Sequence, residues 1–230
     1  MVITSRSPDR VHAAVDRIGA GEGCQVAGVA SDLTDPEAPA KIFHEATALF
    51  GPVTIVVANA GGPPSMPAVE ADAGDLEAAS RLLLLPVQRL FHAALPTMRE
   101  AGWGRFVSIT SVAVLEPQPG LVLSNALRAA VTGYLKSLSD EVAADGITVN
   151  SVCPGYTETE RLDVLAGTLA DRQGGSAGEI KRGWADHAPL RRLLRPEEVA
   201  AAVAFLCSEP ASGITGVALA VDGGLHRSLI

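Results

Sequence analysis

Short runs of β-branched and other apolar residues alternate along this chain with longer segments of helical periodicity, and nearly every run stops at small or polar residues. The runs are Val2-Ile3-Thr4, Gln25 to Ala30, Val53 to Ala58, Arg105 to Ile109, Thr148 to Val152 and a last one near Gly216 to Val221. Their ends read Ser31-Asp32, Asn59-Ala60-Gly61-Gly62, Thr110-Ser111 and Cys153-Pro154-Gly155. Between them, helices are expected from Ser7-Pro8 to about Ile18, from Asp35 to Phe50, from about Asp75 to Gly102, over 122–145 and over 196–208. Parallel neighbours cannot be joined by a tight turn and need a crossover. The alternation therefore predicts an α/β, doubly wound, Rossmann-like parallel sheet, with its ligand site beyond the carboxyl ends of the strands.

At 230 residues the chain suits one well-buried core, so residues 1–230 are expected to form a single domain. Hydrophobic residues make up 47% but aromatics only 4%, and the Ala, Val and Leu that dominate suit a sheet covered on both faces by helices. Ala129-Ala130 and Ala200 to Ala202 are expected to serve close helix packing. A net charge of −8, with no Lys/Arg run longer than a pair, offers no footprint for nucleic acid or an anionic membrane. A small-molecule substrate or a protein partner remains. The cysteines Cys24, Cys153 and Cys207 are odd in number and lack metal-ligand spacing, so neither a disulfide framework nor a metal site is expected. With no targeting segment at the start and no apolar stretch of about 18 residues, a cytoplasmic location is expected.

The segment from Gly104 to Gly155 carries the chemistry. A strand ends in Ser108-Ile109-Thr110-Ser111, and thirteen residues after Ser111 a helix is expected to open at Ser124, with Arg128 four residues on. This resembles the active-site segment of the short-chain dehydrogenase/reductase family, in which a strand-end Ser is followed by Tyr-x-x-x-Lys. Asp32-Leu33-Thr34-Asp35-Pro36, Asn59-Ala60-Gly61, Asn150-Ser151-Val152-Cys153-Pro154-Gly155 and Val221-Asp222-Gly223-Gly224 resemble further motifs of that family, in the same order. The resemblance implies an NADP or NAD cofactor touched by Arg6, Asp32, Leu33, Asn59, Ala60, Gly61, Pro154 and Gly155. Among family members the branch resembled is that of the 3-oxoacyl carrier-protein reductases. Subunit contacts through the helices near 76–101 and 122–145 are implied as well, in a homodimer or homotetramer.

Two departures stand out. The family begins with a strand and the loop Thr-Gly-x-x-x-Gly-x-Gly, whose glycines let the backbone approach the cofactor pyrophosphate. Here Ser5-Arg6-Ser7-Pro8 resembles the end of the family's second strand, so the first βα unit is expected to be missing. A six-stranded sheet follows, with 2–4 paired next to 53–58 or to a partner chain. Either this is a shortened form of a longer protein, or the unit was lost and dinucleotide binding with it.

The second departure lies in the catalytic set. Ser111 keeps its residue type, but the Tyr position holds Ser124, the Lys position holds Arg128 and the position of the family's water-holding Asn falls on Leu83. A Ser hydroxyl is far less acidic than a phenol of pKa about 10, and a guanidinium does not shuttle protons near neutrality. Ser124 is read either as a helix cap or as a ligand contact, and Arg128 either as a charge-holding group or as a solvated or interface side chain. Tyr156 would lie near a nicotinamide or pack at a hinge; His187 would touch substrate from the region 156–192, a lid long enough for one or two helices. Trp184 would pack or line that lid, Tyr134 falls outside the site and the other histidines are surface residues. Three readings result: an oxidoreductase with an atypical proton path, a non-redox enzyme resembling halohydrin dehalogenases, and a non-catalytic oligomeric binding protein.

Overall fold

A computed structural model describes residues 1–21, 23 and 25–229; Cys24 lies outside the described residues. The elements run β1 (Val2–Ser5), α1 (Pro8–Gly19), β2 (Ala27–Ala30), α2 (Ala38–Phe50), β3 (Ile55–Ala58), α3 (Ala73–Ala101), β4 (Gly104–Ile109), α4 (Val122–Val142), β5 (Ile147–Pro154), α5 (Glu160–Gln173), α6 (Ala177–His187), α7 (Pro196–Leu206) and β6 (Ala218–Val221). Strands and helices alternate as expected, and every strand pair is parallel. The region 156–192 holds two helices, α5 and α6, opened by the caps Thr159 and Ser176.

The six described strands do not form one sheet. β1 pairs only with β2, Val2 opposite Ala27, while β3-β4-β5-β6 form a separate four-stranded sheet. The expected pairing of 2–4 with 53–58 is thus overturned. β1 and β2 are joined through α1, which packs on β2 so closely that a Cβ at Gly28 would overlap Val11, and β2 is the only described strand that pairs with β1. The chain then crosses through α2 to the opposite face, and no described strand joins β1 to β3.

Two layers cover the four-stranded sheet. On one face α3 and α4 bury Val56, Phe91, Phe106, Leu135 and Val149, with the Phe91 and Phe106 rings edge to face at 5.3 Å. On the other, α7 covers Val107 and Val152 with Val199, Val203 and Leu206. That second layer stops short of β3. Val57, beside Val107 in register, is 44% exposed and Ile55 is 45% exposed, whereas Val56 and Ala58 on the covered face are buried.

α3 begins with a reciprocal cap between Asp72 and Asp75 and ends at Gly102 in the left-handed region. The turn from α4 into β5 uses Gly146 at φ 75°, where a Cβ would overlap the Gly102 carbonyl oxygen. Gly146→Ala is expected to destabilise the fold by about 2 kcal/mol, from left-handed strain plus that overlap. Urea denaturation checks this, and an unchanged midpoint would contradict the packing described. Among the described residues, no helix is long and apolar enough to cross a membrane.

Candidate active site

All the candidate residues placed on strand ends lie at the carboxyl ends of the parallel strands, where the crossovers leave backbone and short side chains uncovered. After β1 and β2, Arg6 and Asp32 are neighbours because Ser31 N donates to Ser5 O at 2.9 Å. Asp32 Oδ1 accepts from both the backbone N and the hydroxyl of Thr34 at 2.9 Å, which holds the carboxyl below its ordinary range, with a smaller contribution from Arg6. Leu33 packs against the core, and Asn59 is exposed after β3.

The β4 end is held by α4. Ser111 Oγ accepts from Ala113 N at 3.1 Å and caps a short 3-10 turn, Val112–Val114. α4 starts at Val122 with Leu121 in the cap position, so Ser124 lies in the first turn and is not the cap. Asn125 takes over the local bonding instead: its side chain donates to Gln118 O at 3.0 Å and accepts from Gln118 N at 3.2 Å. That leaves Ser124 half-buried, with no hydrogen-bond partner among the described residues.

Of the two readings of Arg128, the solvated one does not hold, because the guanidinium is engaged by three backbone carbonyls. Its Nη1 donates to Ile109 O at 3.0 Å and Thr110 O at 2.8 Å, and its Nη2 donates to Gly61 O at 3.3 Å. One planar fork thereby ties the last residues of β4 to the loop after β3. Nε is sealed from solvent without a partner, beside a cavity of about 10 Å³ lined by Ala60, Leu83 and Thr110, room for one water molecule. Burial, and then the neighbouring charge of Arg161, lower the Arg128 pKa to about 10, so the group stays charged at neutral pH.

Beyond β5, Pro154 is the last strand residue, and Gly155 N donates to Val221 O at 2.9 Å. A Cβ at Gly155 would come within 2.9 Å of the Asp222 backbone, so glycine is required for this close approach. Tyr156 stacks on Trp184 at 4.6 Å and donates its hydroxyl to Gln118 Oε1 at 3.0 Å. Burial raises its pKa above the ordinary value, which makes it a weaker acid than a free phenol. His187 ends α6 exposed, one turn after Trp184, and Tyr134 is bonded to His92 at 3.3 Å on the α3–α4 face. Cys153 lies 3.2 Å from Thr110 Oγ1, and burial raises its thiol.

Three groups escaped the sequence reading. Arg161, in the first turn of α5, donates from Nη2 to Pro63 O at 2.6 Å. Gln118 receives Tyr156, and nothing in its neighbourhood signalled that role. Asp222, in a motif that was noticed, anchors the tail: its Oδ2 lies 2.5 Å from His226 Nδ1 and accepts from His226 N at 2.9 Å. Burial alone would raise the Asp222 carboxyl, but the bonds from His226 and Gly224 outweigh it and hold the group below its ordinary value. No group of three or more His, Cys, Asp or Glu poised for a metal occurs among the described residues. A serine hydroxyl and a guanidinium are both poor proton donors near neutral pH, so none of Ser111, Ser124 and Arg128 is an acid suited to it.

A family model described as enoyl-(acyl carrier protein) reductase matches residues 1–226. The chain is 33% identical over 225 residues to a 3-oxoacyl-[acyl-carrier-protein] reductase of Aquifex aeolicus, covering 98% of this chain and 86% of that protein. Over 197 residues it is 36% identical to the cis-4-hydroxycyclohexanecarboxylate dehydrogenase of Sinomonas cyclohexanicum, covering 85% and 75% of the two chains. The crystal structure of the L-sorbose reductase of Gluconobacter frateurii, in complex with NADPH and L-sorbose, superposes with a TM-score of 0.92 at 32% identity, covering 99% of this chain and 87% of that one. With the match running nearly end to end in the family model and in these relatives, the chain belongs to the short-chain dehydrogenase/reductase family.

Proposed function

We propose that this chain is an oxidoreductase that interconverts a carbonyl and an alcohol on a small molecule, using NADP or NAD, with an unusually poor proton supply. One observation carries the reading: Arg6 and Asp32, the turn Asn59-Ala60-Gly61, Ser111 and the Pro154-Gly155 turn all lie at the same end of the parallel strands. The residues present fit the two ends of a dinucleotide. Arg6 and Asp32 would hold the adenosine end, with Leu33 beneath them. Asn59, Ala60, Gly61, Pro154 and Gly155 would hold the nicotinamide end, where Gly155 keeps the backbone close. The cofactor supplies the hydride; the chain binds, orients and excludes water. Ser111 would direct the substrate oxygen, Ser124 would make a second hydroxyl contact and Arg128 would fix the strand end that carries Ser111. Tyr156 and His187 belong to the lid side of the same proposal.

A non-catalytic reading is favoured by a separate observation: Leu83 walls the cavity beside Arg128, and Tyr156 is committed to Gln118. In that case the fold would act as an oligomeric binding protein, a homodimer or homotetramer built through α3 and α4. One measurement separates the two. Millimolar NADPH or NADH is expected to raise the thermal midpoint of the purified chain by about 2 °C or more, as binding to the native state alone requires at saturating ligand. No shift with either nucleotide would sink the oxidoreductase reading for this chain.

A further inference from the structure

Two guanidinium groups bracket the loop after β3, and neither has a carboxylate partner among the described residues. From inside, Arg128 Nη2 donates to Gly61 O at 3.3 Å. From outside, Arg161 Nη2 donates to Pro63 O at 2.6 Å, and its guanidinium lies flat on Gly62, where a Cβ would come within 2.6 Å of Nε and 2.8 Å of Cζ. Only glycine at position 62 lets the arginine settle there.

The acids nearby are directed elsewhere. Glu160, the neighbour of Arg161 in sequence, reaches Arg10 at 3.0 Å, and Asp163 reaches Lys181 at 2.6 Å. Among the described residues, no Asp or Glu comes within 4.0 Å of the Arg128 or Arg161 nitrogens to form an ion pair. Carbonyl oxygens satisfy donors but do not neutralise charge, so two like charges stand close together in a protein whose net charge is −8. Burial and the Arg161 charge both push the Arg128 pKa down, as that proximity requires. The Thr159-capped start of the 14-residue helix α5 adds its positive end to the same place.

We propose that Arg161, backed by Arg128, forms a receptor for a small oxyanion, a carboxylate or phosphate group carried by the molecule that enters between the loop 61–63 and α5. Arg161 is the accessible partner. It is exposed, and its single bond to Pro63 O can be exchanged for a charge-assisted pair with the ligand. Arg128 is fixed by its three carbonyls and supplies field from below. This receptor does not depend on hydride transfer, because oxyanion binding is measured at equilibrium without turnover.

The test uses the full chain, titrated with inorganic phosphate and, separately, with acetate, in thermal unfolding and calorimetry against chloride at equal ionic strength. Arg161→Gln and, as a control at the far end of α5, Arg172→Gln are titrated in parallel. At least one oxyanion is expected to raise the midpoint above chloride, with affinity falling about 10-fold or more in Arg161→Gln and unchanged in Arg172→Gln. Phosphate acting alone would assign a phosphate-bearing ligand, and acetate acting alone a carboxylic acid. The proposal is overturned if neither exceeds chloride, or if Arg161→Gln, shown by circular dichroism to be folded, binds as the parent does. A nucleotide result that fails while the oxyanion result holds would remove the oxidoreductase reading and leave this one standing.

Discussion

Arg128→Ala is expected to cost the fold about 3 kcal/mol, more than any other single change around the site. The side chain donates to three backbone carbonyls, those of Ile109, Thr110 and Gly61, which belong to the end of β4 and the loop after β3. Hydrogen bonds to a charged group contribute about 1.5–3 kcal/mol each, and truncation leaves the carbonyls without their donor. Part of that gain is offset by the burial of the charge, visible in the pKa lowered to about 10. Arg128→Met, which keeps volume without charge, is therefore expected to fall between the parent and Arg128→Ala. Arg128→Lys is not expected to restore stability, since a point charge on a flexible stem cannot serve three acceptors that a planar fork serves together. Urea denaturation of the three variants decides the matter. A loss below about 1 kcal/mol in Arg128→Ala would mean that the clamp is ornamental.

The same residue shows where sequence reading stops. Alternation of strand and helix is a local signal: β4 and β5 fall within a few residues of expectation because they are continuous apolar runs buried on both faces, and α7 because it buries one helical face. Ends were less legible. Asp35 looked like the start of α2, but its side chain accepts from Glu37 N in a turn, and the helix opens only at Ala38. Of the two readings of Ser124, the cap fails: the helix opens at Val122, where the expected range 122–145 begins, and Asn125 ties down the preceding loop. The sequence shows strands and not their neighbours, so of the two expected pairings of 2–4, with 53–58 or with a partner chain, the first fails: β1 pairs with β2 and not with β3. Arg128 and Arg161 meet carbonyls 67 and 98 residues away, partners that no periodicity encodes. Family motifs placed Arg6, Asp32 and Gly155 at strand ends, since those positions depend on backbone turns that short motifs do specify.

Ser124→Tyr is expected to raise the turnover of carbonyl reduction by about 10²-fold, if proton supply is what this site lacks. Position 124 is half-buried and its hydroxyl has no partner to lose, so the substitution removes no bond seen in the fold. Arg128 lies one helical turn further on, where its fixed positive charge favours the ionised form of a phenol at position 124 over one in water. Ser111 keeps its place because its cap to Ala113 is independent of α4. Tyr156 is a poor substitute for this group: burial raises its pKa and its hydroxyl donates to Gln118. The assay follows NADPH consumption with a 3-oxoacyl ester over pH 6–9. A rise in kcat with little change in KM would place the gain in the proton step, since uniform binding would move KM instead. Should nucleotide binding persist while kcat stays at the parent level, the missing acid is not what limits this chain, and the barrier lies in the Leu83 wall or in how the substrate is held.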